Sequence, residues 1–359
     1  MDFLTQLLQP EGMWQGFIFG LETVVKDYGL ALILITVIIK LILIPMDFLN
    51  RYITINSSRK QAKLKPQVDK LKKVYAANPQ MLQQKTMELY KRENFGVMGT
   101  CLGTLLNLVI TSVVFFTLLG ALNSISLYKQ SQEFVNLETR YYEIILEDLG
   151  YDVPSLTNEQ FIELKTNLTD EQISAGNELA SQAVVEYYEE IRADFLWIKN
   201  IWKADTSTNA ILTYNEFSNI AKSFVEENNI TIEEYDRIMS PVDEVYGGSN
   251  GWYLLVILAA GTTFLSIKIS SWITNARNKK RNKEIVDPVA SNKIVVIILP
   301  LFMAIFTLFY NSAFGIYIVT SSLFSLITSP LVTLAAGKLD EIKEKKEKEK
   351  ITVSYSRKN

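Results

Sequence analysis

Histidine is absent from the 359 residues, and cysteine occurs once, as Cys101. Without histidine there is no imidazole metal ligand, no Ser-His-Asp triad and no Cys-His nucleophile pair. One cysteine makes neither an internal disulfide framework nor a multi-cysteine metal site. The sequence accordingly assigns no catalytic, cofactor-binding or metal-binding residues. The first 28 residues lack a basic start, an uninterrupted apolar core and a small-residue cleavage site, so they do not read as a cleavable leader. Acidic residues are missing from the interiors of the long apolar runs.

What is present is segregated. The net charge of −3 averages over a segment, 126–250, that holds 8 basic and 24 acidic side chains, and a remainder that is strongly basic. Such asymmetry places one chain in two environments. Apolar runs occupy 29–49, 98–122, 251–273 and, as a closely spaced pair, 294–336. A hydrocarbon core takes about 20 apolar helical residues, so these predict an all-α polytopic membrane protein with five transmembrane helices. Short loops rich in Lys and Arg stay cytoplasmic. Residues 51–96 hold 11 basic and 3 acidic side chains, 268–293 hold 7 and 2, and 337–359 hold 8 and 5. All three fall on one side of a five-span protein, predicting an outer N-terminus and a cytoplasmic C-terminus.

Within 1–28, Met13, Trp14, Phe17, Ile18 and Leu21 repeat at helical spacing, as an amphipathic helix at the outer interface would. Residues 50–97 read as a cytoplasmic helical hairpin, with Pro66 in the first turn of one arm and Asn78-Pro79 breaking to the next. Lys63, Lys70, Lys73, Lys85 and Lys91 lie opposite its apolar face; they would touch anionic lipid or receive an incoming chain. The acidic segment 123–250 shows four capping-box patterns, starting at Thr157, Thr169, Thr213 and Thr231, and reads as a small all-helical extracytoplasmic domain. Gly247-Gly248-Ser249-Asn250-Gly251 reads as a flexible joint leading to the third span. A basic loop at 274–293 and a charged tail at 337–359 complete the cytoplasmic side.

Lys40 lies inside the first span. A charge at that depth costs at least ~2.5–3.5 kcal/mol and must face the bundle or a water-filled cavity. Thr36, four residues earlier, shares its face. The second span carries Thr104, Asn107 and Thr111, the third Thr263, Ser266 and Ser270, and the fifth Ser321, Ser325 and Ser329. Such stripes either pack helix on helix or line a polar groove around Lys40 that asks for an anion from elsewhere.

Several stretches resemble the YidC family of membrane-protein insertases. Tyr28-Gly29-Leu30-Ala31 opening a span with an internal cation and a terminal Pro45 is similar to that family's first core helix. Leu64-Lys65-Pro66 through Tyr75, Asn78-Pro79-Gln80 and Glu88-Leu89-Tyr90-Lys91 resemble its cytoplasmic hairpin. Phe95-Gly96-Val97-Met98-Gly99 with Cys101-Leu102 resembles the opening of its second span. Ile298-Leu299-Pro300-Leu301-Phe302 and Phe314-Gly315-Ile316-Tyr317 resemble its last two. The resemblance implies an insertase and chaperone of a bacterial plasma membrane, acting without ATP or bond chemistry. Its partners would be nascent membrane proteins and lipid, together with a ribosome and a protein-translocation channel. Two features depart from the family: lysine stands where arginine is usual, and the loop between the second and third spans holds a domain, for which an extracytoplasmic protein partner is one reading. Two rival classes remain open from the residues alone. A small-solute transporter would also place a cation in a polar groove, and an intramembrane hydrolase would pair Ser321, Ser325 or Ser329 with a lysine base.

Overall fold

The computed structural model describes residues 9–93, 97–280 and 293–356. They form twelve α-helices among the described residues: α1 (Met13–Val25), α2 (Tyr28–Val74), α3 (Pro79–Arg92), α4 (Val97–Asp148), α5 (Asn158–Thr166), α6 (Asp170–Ile191), α7 (Tyr214–Ile220), α8 (Lys222–Glu227), α9 (Ile232–Tyr246), α10 (Leu254–Lys280), α11 (Lys293–Phe309) and α12 (Ser312–Ser356). By length and composition α2, α4, α10 and α12 each hold a stretch apolar enough to cross a membrane. The protein is an all-α polytopic membrane protein. α11 is apolar but shorter, with 17 residues.

The helices outrun the spans expected from hydropathy. Pro45 and Pro66 both lie inside α2, which continues from the first span through the whole first arm of the hairpin. This corrects the reading of Pro45 as a terminator and Pro66 as a helix start. At Pro45 a helix end in hydrocarbon would expose up to four unpaired backbone groups at several kcal/mol each, more than the ~3 kcal/mol of one internal proline. That reason does not extend to Pro66, which lies in the hairpin arm. The break comes where expected, at Asn78, whose side chain accepts from the Met81 N–H at 3.1 Å. α4 likewise runs unbroken into the acidic domain, and α12 into the charged tail.

The chain divides into two compact units. The first contains the chain up to residue 35, residues 117–257 and residues 305–317. Its acidic domain forms as the threonines predict. Thr157, Thr169, Thr213 and Thr231 are all N-caps, and the first three close complete capping boxes. At Thr231 the reciprocal partner is diverted: Glu234 instead meets Lys165 at 3.2 Å and accepts from the Tyr142 hydroxyl at 3.2 Å. The core is built around Phe134, Phe217 and Tyr235, whose ring centroids lie 5.0–5.2 Å from one another. Phe161, Tyr188, Ile238 and Val242 close around them. Lys165 also pairs with Glu138, whose burial pushes its carboxyl up to about 7.

The irregular segment 193–211 ties the domain to the ends of membrane helices. The Trp202 ring lies 4.6 Å from that of Tyr28, at the start of α2. The Ile201 and Lys203 carbonyls accept from Ala313 N–H at 3.0 Å and Ser312 N–H at 2.8 Å, at the start of α12. Asp205 is fully buried and accepts from the backbone N–H groups of Trp252 at 2.9 Å and Leu255 at 2.5 Å, at the start of α10. The glycine-rich stretch before α10 is therefore pinned and is no free joint. Asn250 has no exposed surface; it donates to the Asn200 and Ala204 carbonyls and accepts from the Asn200 N–H at 2.7 Å. Composition suggests looseness there, but backbone pairing holds the stretch as well: Ala210 N–H donates to the Gly248 carbonyl, Asn250 N–H to Thr208 and Gly251 N–H to Thr206, each at 2.8 Å.

α1 packs on α4 through Trp14 to Thr117 (3.0 Å), Gln15 to Ser124 (3.1 Å) and the Lys129–Glu22 ion pair (2.7 Å). Of the apolar face read from the sequence, Ile18 is fully buried and Trp14 and Leu21 half-buried, while Met13 and Phe17 stay exposed. Beside that ion pair a cavity of about 320 Å³ is lined by Lys26, Asp27, Glu133, Glu190 and Trp202, among others. Burial pushes the Glu133 carboxyl up to about 8. A folded value above the unfolded one means the native state holds the proton that the unfolded chain releases. Stability of this unit is therefore expected to fall as pH rises from about 4.5 to 8. Glu133→Gln should flatten that slope and leave the protein more stable at pH 8 than the wild type, by on the order of 2 kcal/mol. Thermal unfolding of both proteins at pH 5.5 and 8.5 reads this directly; parallel slopes would contradict it.

The second unit contains residues 36–116, 258–304 and 318–359, and it holds the polar features of the spans.

Candidate functional site

On α2, Thr36, Lys40, Asp47 and Arg51 lie on one face, because separations of 4, 7 and 11 residues return near the same angle at 3.6 per turn. Thr36 is fully buried and Lys40 half-buried. The Lys40 ammonium donates to Ser325 Oγ at 3.2 Å, and makes no ion pair among the described residues. Three turns on, Arg51 donates to Thr333 Oγ1 through Nε (3.0 Å) and to Thr274 Oγ1 through Nη2 (2.6 Å). Lys40 was marked by its position in an apolar run. Arg51 read only as one cation of a basic loop; its role depends on which hydroxyls of two distant helices meet it.

Those hydroxyls belong to a seam. Thr263 meets Ser322 at 3.1 Å and Ser270 meets Ser329 at 2.8 Å, each pair separated by 59 residues. Thr274 and Thr333, bridged by Arg51, keep the same separation. A constant offset means that α10 and α12 run parallel and in register. The contacts of α2 with α12 also advance together, from Lys40–Ser325 to Arg51–Thr333 and then Arg59 with Asp340 and Glu344. Parallel neighbours require the chain to return between them, and α11 is the described helix on that connection.

The small polar stripes thus separate into two kinds. Thr263, Ser270 and Ser329 join helix to helix. Ser325 alone of the expected groove hydroxyls receives Lys40. Ser266 and Ser321 are half-buried without a hydrogen bond among the described residues, and Thr111 is exposed. The side chains of Thr104 and Asn107 lie outside the described residues. In the hairpin Lys63, Lys70, Lys73 and Lys91 are exposed, while half-buried Lys85 pairs with Glu88 at 2.8 Å. Beyond the seam, Arg59 is buried with Asp340 and Glu344 at 3.5 and 3.9 Å, and Lys343 sits 4.8 Å from the Tyr52 ring centroid. The start of the charged tail is therefore docked on α2 by its acidic residues.

The parallel register has a direct check. In a Cys101→Ser background, the pair Ser270→Cys with Ser329→Cys should form a disulfide under mild oxidation, because hydroxyls 2.8 Å apart put their Cβ atoms within bridging range. The pair Ser270→Cys with Ser322→Cys, one seam step out of register, should not.

No group of three or more Cys, Asp or Glu side chains suited to a metal ion occurs among the described residues. What the site offers is a cation held by a hydroxyl in an otherwise apolar span. The model of the family described as 60Kd inner membrane protein matches residues 20–338. The chain belongs to that family. Relatives named membrane protein insertase YidC include those of Fusobacterium nucleatum, 37% identical over 100 residues, and Clostridium tetani, 38% identical over 90. A third, from Anaeromyxobacter dehalogenans, is 32% identical over 111 residues. These matches cover 28%, 25% and 31% of this chain and 45%, 39% and 19% of the relatives, so the chain spans less than half the length of each. No solved structure matches. Membership in the 60Kd inner membrane protein family, with the apolar helices, makes this a multi-pass protein of a bacterial membrane.

Proposed function

We propose that this member of the 60Kd inner membrane protein family is an insertase and chaperone for nascent membrane proteins. The observation that carries the reading is Lys40: a cation in a membrane helix, bonded to a serine, with the Asp47 carboxylate on the same face but no ion pair within 4 Å among the described residues. An intramembrane charge marks a functional site, and the relatives named as insertases support this one.

In this reading the lysines of the hairpin meet the emerging chain, with Lys63, Lys70, Lys73 and Lys91 exposed and Lys85 held by Glu88. The client's short acidic outer tail is attracted to Lys40, with Ser325 and Thr36 beside it and Ser266, Ser321, Thr111, Thr104 and Asn107 as further polar lining. Thr263 contributes to the wall from within the seam. The apolar segment then slides along α10 and α12 into lipid. Burial of ~20 apolar residues drives it, with a membrane potential adding ~2.3 kcal/mol per charge per 100 mV. The reading needs no covalent step. The N-terminus lies outside and the C-terminus in the cytoplasm, where basic loops belong. A ribosome would meet the hairpin and the part of the tail beyond Glu344, a translocation channel would act upstream for larger clients, and the acidic domain would bind an extracytoplasmic protein.

Reconstitution tests it. Proteoliposomes holding the full chain should protect the outer tail of a small single-span protein from added protease, where empty liposomes do not. Equal protection with and without the protein overturns the proposal. Uptake of small solutes dependent on Lys40 would favour the transporter.

A further inference from the structure

Segment 193–211 contains a tight turn whose flanks are packed and whose tip is exposed. Phe195 and Ile198 exchange both backbone hydrogen bonds, at 2.9 and 3.0 Å, and force Leu196 to φ 56°. Leucine rarely adopts this left-handed conformation, because its Cβ crowds the following carbonyl. Such strain persists only where the surroundings fix it. The fixed residue is nonetheless 77% exposed, flanked by two aromatics.

Those aromatics locate the turn. Phe195 lies over Gly29 so closely that any side chain there would strike its ring, and Gly29 is in the first turn of α2. Trp197 Nε1 donates to Asp205 at 3.4 Å, the carboxylate that also receives the N–H groups of Trp252 and Leu255 at the start of α10. The turn therefore sits level with the points where two membrane helices begin. Around α10 the chain exposes Trp252 (67%), Tyr253 and Leu254, and Tyr253 also has a positive φ. Tryptophan and tyrosine concentrate at the membrane–water boundary, one end of each ring apolar and the other wet. A single exposed leucine is ordinary on a soluble surface; one held in a strained turn between aromatics, continuous with a helix entry belt, is not.

We propose that the Phe195-Leu196-Trp197 turn enters the lipid leaflet in which α2 and α10 begin, with Leu196 at the acyl-chain boundary, so that lipid anchors the acidic domain. The occupant is lipid because the apolar surface it extends is itself membrane-facing. The inference is independent of the insertion reading and of which side of the membrane that leaflet faces.

The full chain carrying Cys101→Ser and Leu196→Cys, labelled with an environment-sensitive fluorophore, is placed in phosphatidylcholine vesicles with and without brominated acyl chains. Labels at Trp252→Cys and at Leu179→Cys, an exposed position on α6, provide the comparisons. Emission from position 196 should be blue-shifted and quenched by brominated lipid about as strongly as from 252, and several-fold more than from 179. Water-like, unquenched emission at 196 beside a quenched 252 overturns the proposal. Should Leu196→Cys disturb folding, the unlabelled chain decides: Trp197→Phe should remove a lipid-quenchable share of tryptophan fluorescence, and an unchanged quenchable share rejects the anchor.

Discussion

Lys40→Ala should lower insertion of a single-span client with an acidic outer tail by about tenfold or more, while Lys40→Arg keeps at least half of the wild-type yield. A charge-assisted hydrogen bond is worth ~1.5–3 kcal/mol, and 1.4 kcal/mol is a factor of ten. Alanine removes the charge, leaving Ser325 and buried Thr36 as neutral dipoles. Arginine keeps the charge and gains a planar fork suited to a carboxylate. Ser325→Ala should have a smaller effect, about two- to threefold, because it orients the ammonium at 3.2 Å without supplying the charge. A client whose outer tail is neutral should be insensitive to Lys40→Ala. Protease protection in proteoliposomes measures all four comparisons. Equal insertion by Lys40→Ala would leave the helices as a scaffold and remove Lys40 from the mechanism.

Asp205→Ala should unfasten the entry to α10 and cost about 3 kcal/mol, since its fully buried carboxylate serves two backbone N–H groups and the Trp197 indole, each orphan costing ~1–3 kcal/mol with incomplete additivity. For a unit of roughly 190 residues that corresponds to a fall of about 6–12 °C in melting temperature. Asp205→Asn should lose less, because its amide oxygen can still accept at one of the two carboxylate positions, leaving only the donors at the other, either Trp252 or Leu255 with Trp197, facing an NH₂ group. Thermal unfolding in detergent or nanodiscs decides. A melting temperature within a degree of wild type would mean that Trp252 and Leu255 find other acceptors, and that segment 193–211 holds α10 by packing alone.

The parts of this architecture governed by local chemistry were legible in the sequence. Each threonine of the four capping patterns starts a helix, since a hydroxyl at the N-cap bonds a nearby N–H whatever surrounds it. Lys40 was legible because an apolar run makes any charge conspicuous. Prolines misled: Pro45 and Pro66 are strong breakers in water-exposed peptides, yet the long α2 absorbs both. The core trio of Phe134, Phe217 and Tyr235 was not legible, because the three rings are scattered along the chain and share no local pattern. Arg51 and the seam were illegible for a related reason. Stripes on α10 and α12 announce small polar faces, but only the relative register of the two helices shows that Thr263 and Ser270 meet Ser322 and Ser329.

The seam has a consequence for how the membrane part moves. Its two direct bonds join hydroxyl to hydroxyl, and each partner is both donor and acceptor. Hydrogen bonds between membrane helices average ~0.6 kcal/mol, so the two direct pairs add only about 1.2 kcal/mol to what packing supplies. Parting them strands no charge, and any polar backbone slipping between the helices satisfies the same hydroxyls. The lock on this joint is Arg51, which clasps Thr274 and Thr333 at one end only. The polar part of the joint is therefore uneven along its length, weak where hydroxyl meets hydroxyl and strong where the Arg51 guanidinium bridges both helices.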